Sequence, residues 1–135
     1  MAEKEFDVKI ITPDRIFYEG NASMVEFTTT EGDIGVYPEH IPLTVIIAPG
    51  VLTIHEDGGL KQAAIHSGFA EIRGDRVTFL AETAEWPDEI DVNRAKRAEE
   101  RARERLQSHQ ANIDVLRAEL ALKRALTRQA LINSK

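Results

Sequence analysis

Glu85-Trp86-Pro87-Asp88-Glu89-Ile90-Asp91-Val92-Asn93-Arg94 divides the chain into two unlike halves. Before it, apolar residues alternate as they do in strands; after it, they recur every three or four positions as they do on a helix. Pro87 has no N–H to give to a sheet ladder and restricts the residue before it, which predicts a last strand ending near Trp86. Asp91 offers a short acceptor to the free N–H groups of a first helical turn, which predicts a helix cap. Carboxylates and Arg94 meet at this seam, the place where a movable arm or a bound ligand can report to the rest of the chain.

Toward the N-terminus, Phe6, Val8 and Ile10 alternate with Asp7 and Lys9, predicting a half-buried strand that ends at Thr12-Pro13-Asp14. Arg15 to Glu19 is a second run, closed by Gly20-Asn21. Ala22 to Thr30 follows, with Met24, Glu26 and Thr28 on one face and Val25, Phe27 and Thr29 on the other. Glu31 to Val36 is expected to turn through two glycines, and Pro38, His40 and Pro42 mark an irregular crossover before Leu43 to Ile47. Val51–His55 and Leu60–Ile65 flank Glu56-Asp57-Gly58-Gly59, a hairpin signal. Phe69 to Arg73 and Arg76 to Leu80 flank Gly74-Asp75, which sets Ile72 across from Val77. Short strands at turn spacing predict an all-β sandwich or flattened barrel over residues 1–86.

Beyond the seam, Val92, Ala95, Ala98, Ala102 and Leu106 form a narrow stripe on a helix over about 91–106. Ser108 to Asn112 interrupts it. A second helix runs from about 113 to 132, with Leu116, Leu120, Ala121, Leu126 and Ala130 available for contact. So short a break predicts an antiparallel hairpin, making residues 87–135 a two-helix arm. A buried leucine contributes roughly 1.5–3 kcal/mol and an alanine methyl under ~1 kcal/mol, so an alanine stripe docks weakly. The expectation is a firm head with an arm that can change its attachment.

Composition narrows the function. The chain has 135 residues, 42% hydrophobic but only 6% aromatic, so aliphatic side chains fill most of the core. It has no cysteine, which excludes disulfides and thiolate metal sites. No run approaches the ~20 apolar residues of a membrane helix, and the N-terminus lacks a secretory pattern; both point to a soluble, cytoplasm-facing protein. The net charge of −6 conceals a split: residues 1–90 hold 6 basic and 17 acidic side chains, and residues 91–135 hold 11 basic and 6 acidic. A tail of net +5 is suited to something anionic: the acidic head, a partner or a nucleotide. An acidic head and a tail without aromatics for stacking disfavour nucleic acid.

Catalytic motifs are missing. The chain has neither a Gly-x-x-x-x-Gly-Lys-Ser/Thr phosphate loop nor a Gly-x-Ser-x-Gly nucleophile turn. His40, His55, His66 and His109 are scattered and read as loop or surface histidines rather than metal ligands. The segment Gly32 to Leu43 is dense in backbone-special residues; chemistry alone favours a tight turn and crossover over an exposed loop that presents Glu31, Asp33 and His40 to a partner. Ile90-Asp91-Val92-Asn93-Arg94-Ala95 recurs in form at Ile113-Asp114-Val115-Leu116-Arg117-Ala118, and both read as helix starts. Arg117, Arg124 and Arg128 share a helix face, and on a folded hairpin Arg94, Arg124 and Arg128 can converge on phosphates, which suit guanidinium forks.

Glu31-Gly32-Asp33-Ile34-Gly35-Val36-Tyr37-Pro38-Glu39-His40-Ile41-Pro42-Leu43, then Ser67-Gly68-Phe69-Ala70-Glu71-Ile72 and the charged helical tail, resemble the epsilon subunit of bacterial F-type ATP synthase. The resemblance covers essentially the whole chain, most closely the nucleotide-binding epsilon subunits of Bacillus-like bacteria. It implies a ten-stranded β-sandwich followed by a two-helix hairpin. It also implies a noncatalytic rotor subunit, bound to gamma and seated on the c-subunit ring, in a complex that couples ion transport to ATP synthesis. Glu31, Gly32 and Asp33 would face that ring, with His40 in the same partner-facing segment. Folded on the head, the arm would permit ATP hydrolysis; extended along gamma, it would block it, with Arg103 and Arg117 meeting acidic residues of the beta subunits.

The family's motif Ile/Leu-Asp-x-x-Arg-Ala matches Ile90-Asp91-Val92-Asn93-Arg94-Ala95. Carried over by residue, Glu85, Ile90, Asp91 and Arg94 would contact ATP together with Arg124 and Arg128. ATP would then be a regulatory ligand that holds the arm down, and the resemblance leaves a need for Mg2+ open. The place implied is peripheral, at the cytoplasmic face of the bacterial cell membrane, with no segment inserted. A rival reading is a freestanding ATP-sensing adaptor whose basic hairpin binds an acidic protein; copurification with gamma separates the two.

Overall fold

A computed structural model describes residues 4–108 and 114–133. Eight strands fill the N-terminal part: β1 (Phe6–Thr12), β2 (Arg15–Ala22), β3 (Met24–Thr29), β4 (Gly32–Val36), β5 (Leu43–Ile47), β6 (Gly50–Glu56), β7 (Gly59–Ile72) and β8 (Arg76–Glu85). A 3-10 turn (Pro87–Glu89) leads to helices α1 (Val92–Gln107) and α2 (Val115–Asn133). The expected break at 109–112 and the helix start at Ile113 lie outside the described residues.

The strands follow the order β2-β1-β8-β7-β5-β3-β4, and β6 bridges β3 and β7, so the sheet folds over on itself as a β-sandwich. β1 runs parallel to β8, with Ile10 beside Phe79, and closes the head by joining its first strand to its last. Both tight hairpins fall where the turn residues place them: His55 pairs with Leu60, and Ile72 with Val77. Alternation along β3 buries Val25, Phe27 and Thr29, as the pattern predicts. Phe27 meets Phe79 edge-on at 4.8 Å, within a core of Ile10, Leu52, Ile54, Ile65 and Ile72.

Four local expectations are corrected. Ten strands were implied, and eight are described; among the expected runs, 60–65 and 69–73 do not form separate strands. Residues 60–65 and 69–72 belong to one 14-residue strand, β7, whose first half pairs with β6 and whose second half pairs with β5. Ser67 (φ 54°) and Gly68 (φ 122°) bend it between the two partners. Gly68 is required there, since a Cβ would lie 2.1 Å from the carbonyl oxygen of Leu80. The second correction is Gly32–Val36, a paired strand rather than a turn. Val36 is buried beside Val25, and Gly35 leaves room for Met24. Third, β2 continues through Gly20-Asn21 to Ala22.

The fourth correction concerns the arm. α2, not α1, lies on the head, against β6, β7 and the 3-10 turn, while α1 packs on α2. The α2 residues that become buried are Ala118, Ala125, Thr127 and Leu131; Leu116 and Leu126 stay exposed, as does Ala130. α2 carries apolar residues around most of its circumference, so period alone does not select a face. On α1 the stripe holds: Ala95 and Ala102 are buried, and Gln129 of α2 donates to Glu99 at 2.8 Å. Small side chains seven residues apart on each helix allow close approach, but each contributes little apolar area.

The outward face of the sheet has a feature of its own. Cross-strand pairing places Ile46, Phe69, Leu80, Ile11 and Ile16 in one row over β5, β7, β8, β1 and β2. Ile46 is 62% exposed and Ile16 56%, with Phe69 and Leu80 also open to solvent. Isolated exposed apolar residues are ordinary on proteins; this row is contiguous across five strands.

Candidate functional site

The seam is fastened at both ends. Glu89 accepts the Trp86 N–H at 2.9 Å and binds Arg15 of β2 through both carboxylate oxygens, at 2.9 and 3.0 Å. Trp86 stacks on Phe17 at 4.3 Å and 15°. Asp91 then caps α1, as its position predicts, accepting the Arg94 N–H at 3.1 Å. Between these two anchors the chain passes from sheet to helix and leaves a cleft of about 360 Å³.

Four elements build its walls. Glu85 comes from the last position of β8; Glu89 ends the 3-10 turn and Asp91 caps α1; Arg94, Ala95, Ala98 and Arg101 come from α1, and Arg128 from α2. The alanines leave the space that larger residues would fill. Glu85 Oε1 accepts from Arg128 Nε at 2.7 Å and from His66 Nε2 at 3.0 Å. Burial alone raises the Glu85 pKa, but the hydrogen bonds from His66 and Arg128 outweigh it and hold the carboxyl below its ordinary range. Arg128 and Glu85 are each about a quarter exposed, so their attraction is less screened than that of a surface pair.

The side chains of Arg94 and Arg101 differ from Arg128. Neither has a hydrogen-bond or ion-pair partner among the described residues. Two uncommitted guanidinium groups at one cleft suit an anion with several oxygens, such as a polyphosphate. The carboxylates on the opposite wall suit ribose hydroxyls or an exocyclic amine. That donor and acceptor set fits a nucleotide. Among the described residues, no group of three or more His, Asp or Glu is placed to hold a metal ion.

Of the six residues assigned to ATP, the structure brings Glu85, Asp91, Arg94 and Arg128 to this cleft. Ile90 and Arg124 do not line it: Ile90 closes the 3-10 turn through its N–H to Pro87, and Arg124 lies one turn before Arg128 on α2. Arg101 was missed, although its spacing of seven from Arg94 puts it on the same helix face. His66 was read as a surface histidine; it is instead 1% exposed and bonded to Glu85.

The residues that the resemblance assigns to partners lie elsewhere. Glu31, Gly32 and Asp33 are exposed at the β3–β4 turn, where Thr28 donates to Asp33 at 2.8 Å and Thr29 to the Gly32 carbonyl at 2.7 Å. His40 lies on the β4–β5 crossover beside Ile41, which is 79% exposed. Arg103 and Arg117 are exposed on the arm; Arg103 pairs with Glu99 at 2.7 Å, and the Arg117 N–H is capped by Asp114. Among the described residues, no helix is long and apolar enough to cross a membrane.

Comparison with known proteins accounts for nearly all of the chain. The family model for the β-sandwich domain of the ATP synthase delta/epsilon chain matches residues 5–87, and the model for the long alpha-helix domain matches residues 88–132. The ATP synthase epsilon chain of Caldanaerobacter subterraneus subsp. tengcongensis is 49% identical, over 93% of this chain and 92% of that relative. That of Halalkalibacterium halodurans is 47% identical over 90% and 92% of the two chains, and that of Bacillus cytotoxicus 42% over 98% and 99%. A chain in the OSCP/F1/c-ring structure of Euglena gracilis mitochondrial ATP synthase superposes with a TM-score of 0.82 at 26% identity, covering 93% of this chain and 80% of its own. A chain of the Tetrahymena thermophila central stalk and c-ring, at 15% identity and a TM-score of 0.55 over 98% and 95%, shares the fold.

Proposed function

The chain belongs to the ATP synthase epsilon-chain family, and from that membership we propose that it is a noncatalytic central-stalk subunit whose arm is a nucleotide-set brake on ATP hydrolysis. The head binds gamma through the apolar row from Ile46 to Ile16. Glu31, Gly32, Asp33 and the crossover around His40 face the c-subunit ring. Gamma, the ring and, for the extended arm, the beta subunits are its partners, and it sits peripherally at the cytoplasmic face of the bacterial membrane.

The observation that carries the regulatory reading is where the cleft walls come from. Glu85 belongs to the head, Arg94 and Arg101 to α1, and Arg128 to α2. ATP bound among them touches all three and stabilises only the arrangement that brings them together, so it favours the folded arm by its difference in affinity between folded and extended states. Its phosphates take Arg94, Arg101 and the Arg128 nitrogens not given to Glu85, and its ribose or adenine takes Glu85 and Asp91. When ATP is scarce the arm leaves, Arg103 exchanges Glu99 for an acidic side chain of beta, Arg117 does the same without an ion pair to break, and hydrolysis stops.

The test is calorimetric titration of the full chain with ATP, with and without magnesium, beside Arg94→Ala. Saturable binding that Arg94→Ala weakens by at least about tenfold, the size of one charge-assisted contact, is expected. No heat of binding, or an affinity unchanged in the variant, refutes the nucleotide site. Copurification of gamma with wild type but not with Phe69→Lys tests the docking row separately.

A further inference from the structure

We propose that His66 is a buried positioning residue that fixes the Glu85 carboxylate as the receptor for the arm. His66 lies on β7 opposite Thr83, two residues before Glu85 on β8, so His66 and Glu85 are diagonal neighbours across one strand pair. Its ring is 1% exposed, and Nε2 lies 3.0 Å from Glu85 Oε1. A carboxylate only accepts, so Nε2 carries a hydrogen and donates it to Glu85. Nδ1 is buried without a partner among the described residues. A ring kept dry at the cost of one unmet nitrogen is an expensive way to fill space, and an apolar side chain would fill it without that cost. What the imidazole adds is a donor to Glu85.

The geometry explains why that donor matters. Arg128 and His66 both claim Oε1, which leaves Oε2 without a partner among the described residues. The bond from His66 belongs wholly to the head, so it persists whether or not α2 is in place. Glu85 therefore waits in the orientation that Arg128 needs, and does not have to be ordered at the moment of docking. The remaining charged groups facing Glu85 are Glu89, Asp91, Arg94 and Arg101 across the cleft. Loss of the His66 bond leaves those carboxylates unopposed from the β7 side, so the Glu85 midpoint moves up. This role rests on the movable arm proposed above, but not on nucleotide.

The experiment uses the full chain without ATP. Glu85 titration is followed by carboxyl carbon NMR in wild type, His66→Leu and His66→Gln, the last retaining a donor. The absence of cysteine lets spin labels be placed at Asp57→Cys and Lys123→Cys, both exposed, to read the docked fraction. His66→Leu should raise the Glu85 midpoint and lower the docked-to-detached ratio by about three- to tenfold, the factor lost on ordering an unfixed side chain. His66→Gln should recover both. A merely structural histidine would lower thermal stability and leave the Glu85 midpoint where it is, and that result overturns the proposal. If His66→Leu does not fold, nitrogen NMR of the wild-type ring decides: an Nε2–H tautomer supports the assignment and an Nδ1–H tautomer overturns it. A single docked distance in every variant would sink the movable arm but not the positioning role, which the Glu85 titration reads by itself.

Discussion

Arg128→Ala removes the one ion pair that joins α2 to the end of β8. The contact is 2.7 Å long, with both side chains about a quarter exposed, between a screened surface pair and a buried one. Exposed pairs contribute about 0.2–1 kcal/mol and hydrogen bonds to charged groups about 1.5–3 kcal/mol, so the loss should be about 1–2 kcal/mol. Because Arg128 does not reach the sandwich core, the cost falls on docking rather than on the fold. The docked-to-detached ratio should drop by about five- to thirtyfold while the head's melting is unchanged. Hydrogen exchange along α2 measures this, and a double-mutant cycle with Glu85→Gln isolates the pair. The pH dependence has a definite sign. Glu85 has a lowered pKa in the folded protein, so its contribution is complete above the ordinary carboxylate range and is lost as pH falls through the lowered value. Arg128→Ala should flatten that acid limb. Unchanged α2 exchange, or strictly additive effects in the cycle, would refute the view that this bond holds the arm.

Leu131→Ala empties the apolar end of the same helix, where Leu131 is 1% exposed in a cleft of about 470 Å³ walled by Leu60, Trp86 and Pro87. It should cost about 2–5 kcal/mol of docking, more than the ion pair, and α2 exchange faster than in Arg128→Ala is the check. Gly68→Ala should act on the head instead. A φ of 122° and a carbonyl oxygen 2.1 Å from the new Cβ predict a loss above about 3 kcal/mol, seen as a lower melting temperature with β7 amides losing protection first.

The parts of the fold that local chemistry determines were legible. Asp57-Gly58, within the quoted turn Glu56 to Gly59, and Gly74-Asp75 set two registers, and Asp91 announces its own cap because each is a short-range requirement of backbone hydrogen bonding. The face of α2 was not legible, since Leu116, Ala118, Ala125, Leu126 and Leu131 offer several stripes and only docking decides which is buried. Gly68 read as a boundary because a glycine between apolar runs breaks strands more often than it bends one. At the site, Glu85, Asp91, Arg94 and Arg128 were reached through spacing and resemblance. Arg101 lay one heptad beyond Arg94 but outside the quoted motif. His66 was unreachable because its partner is two positions away on another strand, a relation that exists only once β7 and β8 have paired.

Trp86 is the chain's only tryptophan, and it lies at the root of the arm. Phe17 holds the indole from the head side whether or not α2 is present, while Leu131 shares the cleft on its other side. When the helix lifts away, water reaches a ring that has not itself moved. Indole emission then shifts to the red with no change in the sandwich. For the movable arm proposed above, arm position is thereby an optical property of the unlabelled protein, and stopped flow with added nucleotide tests whether nucleotide sets it.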